Sequence, residues 1–251
     1  ILAVELMSNV CSARGWYFTF TPQGRPGFLR VLTTSLASLS VAGLLPSGQA
    51  GEIAKANLLR GHTHPSEIVS SLLLFNILHV LVASGVSLLG ILLPLCLGTF
   101  PPSVLWPLFL ISSVIVSAMV GAGILVRLNL LERIVSKLQS IPFRFLKPSR
   151  WMNGASEIDA RLRELSSGDF LRSVFWLTMG RLWQVLEVWI ILRYLRESTS
   201  ISVTTAVFAA TNLAAYLLLV LPVREGFTEG STFVVFQWLG MSGPAGLSLE
   251  L

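Results

Sequence analysis

"IVSSLLLFNILHVLVASGVSLLGILL", residues 68 to 93, runs for twenty-six positions without one aspartate, glutamate, lysine or arginine. As a helix it rises about 39 Å, more than the roughly 30 Å of hydrocarbon in a bilayer. That reading sets the solvent for the rest of the chain. Of 251 residues, 53% are hydrophobic and 12% charged, about half the charge of an ordinary soluble domain. The 18 basic and 13 acidic residues are too few to cover a soluble fold of this size, so much of the surface is expected to face lipid.

Four further apolar segments flank the first. They are Phe28 to Leu45, Val104 to Val126, Phe170 to Leu195 and Ile201 to Leu221. Only "PLCLGTFPP" separates residues 68 to 93 from 104 to 126, which predicts an antiparallel pair of spanning helices. Residues 1 to 21 are moderately apolar and end in the aromatic cluster "GWYFTF", Gly15 to Phe20. The cluster reads as a helix end at the headgroup level, where aromatic residues gather. The chain opens at Ile1 and closes at Leu251, so a helix is allowed for beyond either end; the whole is read as one transmembrane domain, residues 1–251.

Residues 127–169 form the longest polar stretch and include "FRFLKPSRW" at 143 to 151, a basic-aromatic strip of interfacial character. By the positive-inside tendency this loop is cytoplasmic. Lys55 and Arg60, just ahead of residue 68, then lie on the same side. Arg193 and Arg196 fall on the opposite side, against the rule. Either the fourth segment is broken, or these arginines serve something other than topology. Basic residues also flank the first segment at both ends, Arg25 and Arg30 before it and Lys55 and Arg60 after it. A simple crossing would not place them so.

An internal echo offers a reason. "GLLPSGQAGE", 43 to 52, and "LVLPVREGFTEG", 219 to 230, each end an apolar segment with proline and then present glycine and glutamate. Proline removes a backbone donor and glycine loosens the chain. Ordinary helix-ending loops and paired re-entrant hairpins both fit this pattern. Irregular backbone at membrane depth is tolerated only where it is buried in protein or lines a cavity. The fold class expected is all-α, a polytopic helical bundle with paired re-entrant or broken helices.

Several polar residues interrupt the apolar background. Glu225 and Glu229 are four apart, as are Gly226 and Gly230, so in a helix each pair shares a face. Arg224 adds a planar fork of donors beside the unpaired amides of a helix start, an arrangement suited to phosphate. In "LTMGRLWQVLEVWIILRYL", Thr178, Arg181, Gln184 and Glu187 recur every three residues. A three-residue stripe winds around a helix, which puts Arg181 and Glu187 about 120° apart. Each needs its own partner or a wet cavity, because an unpaired charge in hydrocarbon costs at least about 2.5 kcal/mol. Asn76 and His79, and likewise Asn212 and Tyr216, are one-turn polar pairs suited to hydrogen bonds across helices; His79 could also handle protons. Glu52 and Lys55 are one turn apart in "AGEIAKANLLRG".

Other chemistries find little support. Cys11 and Cys96 form no CxxC, and His62, His64 and His79 have no ligand spacing. The basic residues are dispersed, which argues against nucleic acid despite a net charge of +5. No metal and no cofactor is expected; the expected partners are membrane lipids, with self-association left open.

These residues resemble the transmembrane region of the lysylphosphatidylglycerol synthase family, the flippase-like domain, and especially its hopanoid-associated bacterial members. That family typically shows proline followed by Gly-Gly-x-Gly-x-x-Glu-Gly. From Pro222 this sequence matches at Gly226, Glu229 and Gly230, with Val223 and Arg224 in place of the leading glycines. A second family pattern, proline then Gly-Glu-x-x-Arg, reads here as Pro46, Gly51, Glu52 and Lys55, with lysine in place of arginine. "LEVWIILRYL", 186 to 195, and "FQWLGMS", 236 to 242, fit neighbouring segments.

The resemblance implies a lipid flippase in a bacterial inner membrane, not aminoacyl transfer, which belongs to a separate soluble domain of fused members. Substrate contacts would fall to Arg224, Glu225, Glu229, Glu187, Arg181, Glu52 and Lys55. A membrane-embedded lipid-phosphate enzyme and a non-transporting scaffold are the alternatives.

Overall fold

A computed structural model describes residues 1–44, 50–100, 102–127, 166–197, 199–217 and 227–250. Among them the secondary structure is entirely helical apart from one isolated bridge, between Arg60 and Thr63. The helices are α1 (Leu2–Tyr17), α2 (Phe28–Leu44), α3 (Ala50–Leu59), α4 (Pro65–Leu97) and α5 (Pro102–Arg127). After residues 128–165, which lie outside the description, come α6 (Ser167–Tyr194), α7 (Ile201–Leu217), α8 (Phe227–Trp238) and α9 (Gly243–Glu250).

Local chemistry sets the ends of the two longest helices. Pro65 opens α4, where its missing N–H costs nothing, and Gly98 closes it at φ 64, a left-handed cap that a side chain resists. The Ser166 hydroxyl accepts from the Gly168 amide at 3.3 Å and caps α6. With 33 and 28 residues, α4 and α6 rise about 50 and 42 Å, enough to cross a bilayer. Only 39% and 22% of their most apolar windows are buried. The remainder faces outward, as with Leu89, Leu171 and Phe175, and such a surface is suited to lipid rather than water.

Contacts fix how the helices run. Gly15 on α1 meets Leu177 and Ser173, while Gly180 meets Ser8 and Cys11, so α1 and α6 pack antiparallel through small residues. The Ser173 hydroxyl donates to the Gly15 carbonyl at 2.9 Å. Helices α4 and α7 are also antiparallel: Thr99 bonds Ser202, Gly90 abuts the Thr205 carbonyl, and the Asn212 amide donates to Ser87 Oγ at 2.8 Å. The expected cross-helix role of Asn212 is thus met. The α4–α5 pair joins through the expected short connection, with Leu105 and Leu108 packed in the same core as Ile91.

Two apolar cores stack along the bundle. One joins Trp16, Val31, Leu59, Ile68 and Leu177, and so gathers the end of α1, the start of α2, the end of α3 and the starts of α4 and α6 at one end. The other joins Ile91, Leu192, Val207 and Phe236 toward the opposite end. Helices α2 and α3 pack on each other, Gly51 against Ser38 and Ala42, and place Val31 and Leu59 in the same core. Arg30 and Arg60 adjoin Val31 and Leu59 of that core, whereas Lys55 pairs with Glu52.

One alternative is narrowed. Trp16 and Phe20 are fully buried, so the aromatic cluster closes α1 as expected, with these two rings packed against protein. Helix α6 is continuous, so Arg193 and Arg196 do not mark a break. Arg193 lies 5.4 Å from the Trp189 ring, and Arg196 adopts φ 59 where the helix unwinds. Both sit at a helix C-terminus, where cations are favoured. Of the basic stretch 127–169, only its borders, Arg127 in α5 and residues 166–169, are described.

Candidate functional site

The Gly-Glu-x-x-Lys turn and the polar stripe of α6 are more than 120 residues apart in sequence, yet each bonds to α4, at Asn76 and His79, so that two sets of polar groups lie in line. On α3 the Lys55 ammonium pairs with Glu52 at 2.7 Å. From α4 the Asn76 amide donates to the other Glu52 oxygen at 3.2 Å. One turn further along α4, His79 Nε2 meets an Arg181 guanidinium nitrogen from α6 at 2.6 Å. Arg181 also donates to Gln184 Oε1 at 2.7 Å. Aromatic rings fill the interval: Lys55 lies 5.0 Å from the Phe75 ring and 5.5 Å from Trp16, and Phe75 is 5.4 Å from the His79 ring.

Local packing makes this possible. Gly51 sits with its α-carbon face against the Ser38 carbonyl and Ala42, where an added Cβ would come within 3.2 Å of both. A glycine there lets α3 lie close on α2 and turns Glu52 and Lys55 toward α4. Asn76 and His79, three apart on α4, then face α3 and α6 in turn.

The position along the bundle is telling. Asn76 lies eleven residues past Pro65, and His79 and Arg181 each lie fourteen past the first residues of their helices, Pro65 and Ser167, which is about 16 and 21 Å of rise. The centre of α4 is Leu81, and that of α6 falls between Gly180 and Arg181. Polar groups thus meet at the middle of the two longest apolar helices.

The protonation pattern follows from donor rules. A guanidinium can only donate, so His79 Nε2 accepts and the ring is neutral with its proton on Nδ1. That Nδ1 is buried and has no hydrogen-bond partner among the described residues. Among the described residues, the line carries two cations, Lys55 and Arg181, and the carboxylate of Glu52. The Arg181 residue is 8% exposed and the Lys55 side chain 13%, whereas the Glu52 side chain is 37% exposed. The line is therefore sealed at Arg181 and opens at Glu52. Its two cationic side chains are of the kind that suits an anionic group. Among the described residues, no cluster of three or more His, Cys, Asp or Glu could hold a metal ion.

The remaining predicted residues separate into two groups. Glu187 is half-buried on α6, where its electrostatic neighbour is Glu5 on α1; it stands apart from the line through Arg181. Gly230 is exposed on α8, and Glu229 belongs to the same helix. Pro46, Pro222, Arg224, Glu225 and Gly226 lie outside the described residues. The sequence reading treated Asn76 and His79 as a structural pair and overlooked Trp16 and Phe75. A usable signal existed, since Asn76 and His79 are the only residues in 72–83 with a side-chain amide or imidazole.

Long outward-apolar helices around a buried polar line define a multi-pass helical membrane protein. The family model described as the lysylphosphatidylglycerol synthase TM region matches residues 1–251, and the chain belongs to that family. Its role at family level is flippase-like membrane transport. Comparison with curated proteins and with solved structures gives no match.

Proposed function

We propose that the protein moves a phosphate-bearing lipid between leaflets, without covalent turnover, by passing the headgroup along the line from Glu52 and Lys55 to Arg181. The observation behind this reading is that line itself, in which Lys55 with Glu52 and Arg181 each meet α4, at Asn76 and His79, near the centres of the long helices. The acyl chains would stay in the bilayer while the headgroup replaces protein hydrogen bonds one at a time. Lys55 would receive phosphate first, at the exposed Glu52 end, and Arg181 would take it over after releasing His79 or Gln184.

In this reading α2 and α3 form a re-entrant hairpin. Support comes from the packing of α3 on α2, which places Val31 and Leu59 in one core, and from a parallel in lengths. Helices α2 and α7 each have 17 residues, and each is followed by a shorter helix, α3 of 10 or α8 of 12. Two such hairpins entering from opposite sides are a recurrent transporter plan. The motif at 222–230 would then supply a second headgroup contact through Arg224, Glu225 and Glu229. Kinship with hopanoid-associated members, resting on "LEVWIILRYL", and a bacterial inner membrane complete the proposal.

The test is leaflet-specific labelling in reconstituted vesicles, comparing lipids with anionic, zwitterionic and neutral headgroups, for the parent chain and for Lys55→Met and Arg181→Gln. Faster movement of a phosphate-bearing lipid that both substitutions abolish supports the proposal. Movement at protein-free rates for every headgroup tested would remove it.

A further inference from the structure

A second cationic site lies at the end of the bundle where α4 and α6 begin, away from the line at the centre. Three guanidiniums surround the ring of Phe18: Arg14 and Arg25 at 5.4 Å each and Arg172 at 5.8 Å. Two of them share one carboxylate. Asp169 pairs with Arg25 at 2.6 Å and with Arg172 at 3.3 Å. Arg25 is held further by the Phe20 carbonyl at 3.2 Å, so its role is to tie the α1–α2 connection to α6. Arg14 has no carboxylate partner among the described residues. It sits in a cage of rings, 4.6 Å from Phe28, 5.3 Å from Tyr17 and 6.0 Å from Trp176.

Such rings stabilise the cation's face but leave its in-plane N–H donors unspent. Arg172, its side chain 65% exposed, has donors to spare as well. The cluster therefore holds a net charge of about +2, with planar forks suited to a phosphodiester. What surrounds it identifies the source of that phosphate. Leu29, Leu171 and Phe175, from the same turns of α2 and α6, are 74%, 66% and 56% exposed, a surface fitted to acyl chains. Asp169 is buried and already holds two arginines, and the nearby Glu67 is buried against the Thr21 amide, so the exposed face of the cluster, where Arg172 lies, offers cations to a phosphate.

We infer that Arg14 and Arg172 bind the phosphodiester of an anionic phospholipid in the adjoining leaflet, with its chains on Leu29, Leu171 and Phe175. This holds whether or not the protein transports lipid, since neither arginine belongs to the central line. The site would anchor the start of α6 to the bilayer and give the protein a preference for anionic membranes.

Trp176 provides the readout. The full chain is reconstituted in vesicles containing brominated phosphatidylglycerol or, at equal mole fraction, brominated phosphatidylcholine, and the quenching lost on Trp176→Phe is assigned to that residue. The expected result is stronger Trp176 quenching by the phosphatidylglycerol, with the apparent affinity falling about five-fold for each of Arg14→Gln and Arg172→Gln. Should Arg14→Gln fail to fold, Arg172→Gln, at an exposed position, still decides. Equal quenching by both lipids, or selectivity that survives the substitutions, overturns the inference. Displacement of the quenching by inorganic phosphate at constant ionic strength would assign the site to a free anion and overturn it too.

Discussion

Replacing Arg181 by glutamine separates a transport role from a structural one. The substitution removes a buried cation and its bonds to His79 and Gln184, at 2.6 and 2.7 Å. Two hydrogen bonds to a charged group are worth about 3 to 6 kcal/mol together. Opposing that loss, an arginine at the centre of a membrane helix costs about 2.5 to 3.5 kcal/mol to insert, and the substitution relieves most of this. The net change in stability is therefore about 0 to 3 kcal/mol. Transport has no such compensation. Losing one charge-assisted contact of about 1.5 to 3 kcal/mol to the headgroup should slow translocation about ten- to hundredfold. The assay pairs a thermal-unfolding midpoint in detergent with leaflet labelling in vesicles, and Arg181→Lys serves as a control that keeps the charge without the planar fork. A folded Arg181→Gln protein that moves lipid at the parent rate would refute the reasoning.

Three further substitutions probe the scaffold. Gly90→Ala places a Cβ 2.9 Å from the Thr205 carbonyl, so it should destabilise the α4–α7 contact by about 1 to 3 kcal/mol despite alanine's better helix propensity; the unfolding midpoint measures this. Asn212→Ala removes the bond to Ser87, and a loss of about 0.6 kcal/mol, at most about 1.7, is expected in the same measurement. Asp169→Asn leaves Arg25 and Arg172 without their shared carboxylate, and a loss of about 3 kcal/mol, detectable as earlier denaturation, follows from breaking a buried pair from one side.

Apolar runs made the long helices legible because hydrocarbon thickness imposes a length that few other structures need. The segments at 68 to 93 and 170 to 195 correspond closely to α4 and α6. Spacing within one helix was also readable, which is why Arg181 and Glu187 were placed on different faces. The line from Arg181 to Glu52 was not, because it depends on how α3 and α6 approach α4, and sequence spacing is silent about separate elements. Nor did the sequence show which aromatics are covered by protein. Only the packing of α2, α3 and α4 around Trp16 and Phe20 buries them. Asn76 and His79 were recognised as suited to cross-helix hydrogen bonds, but their partners lay on two different helices.

The depth of α3 tests the central claim most directly. Ile53, exposed and next to Glu52, can carry a spin label as Ile53→Cys in a Cys11→Ala, Cys96→Ser background. Its relative accessibility to oxygen and to a water-soluble nickel complex reports its distance from the phosphate plane. A position more than about 10 Å inside the phosphates, within a hydrocarbon core of about 30 Å, is the predicted result. A label at headgroup level, bathed in water, would contradict a lipid path through Glu52, Lys55 and Arg181.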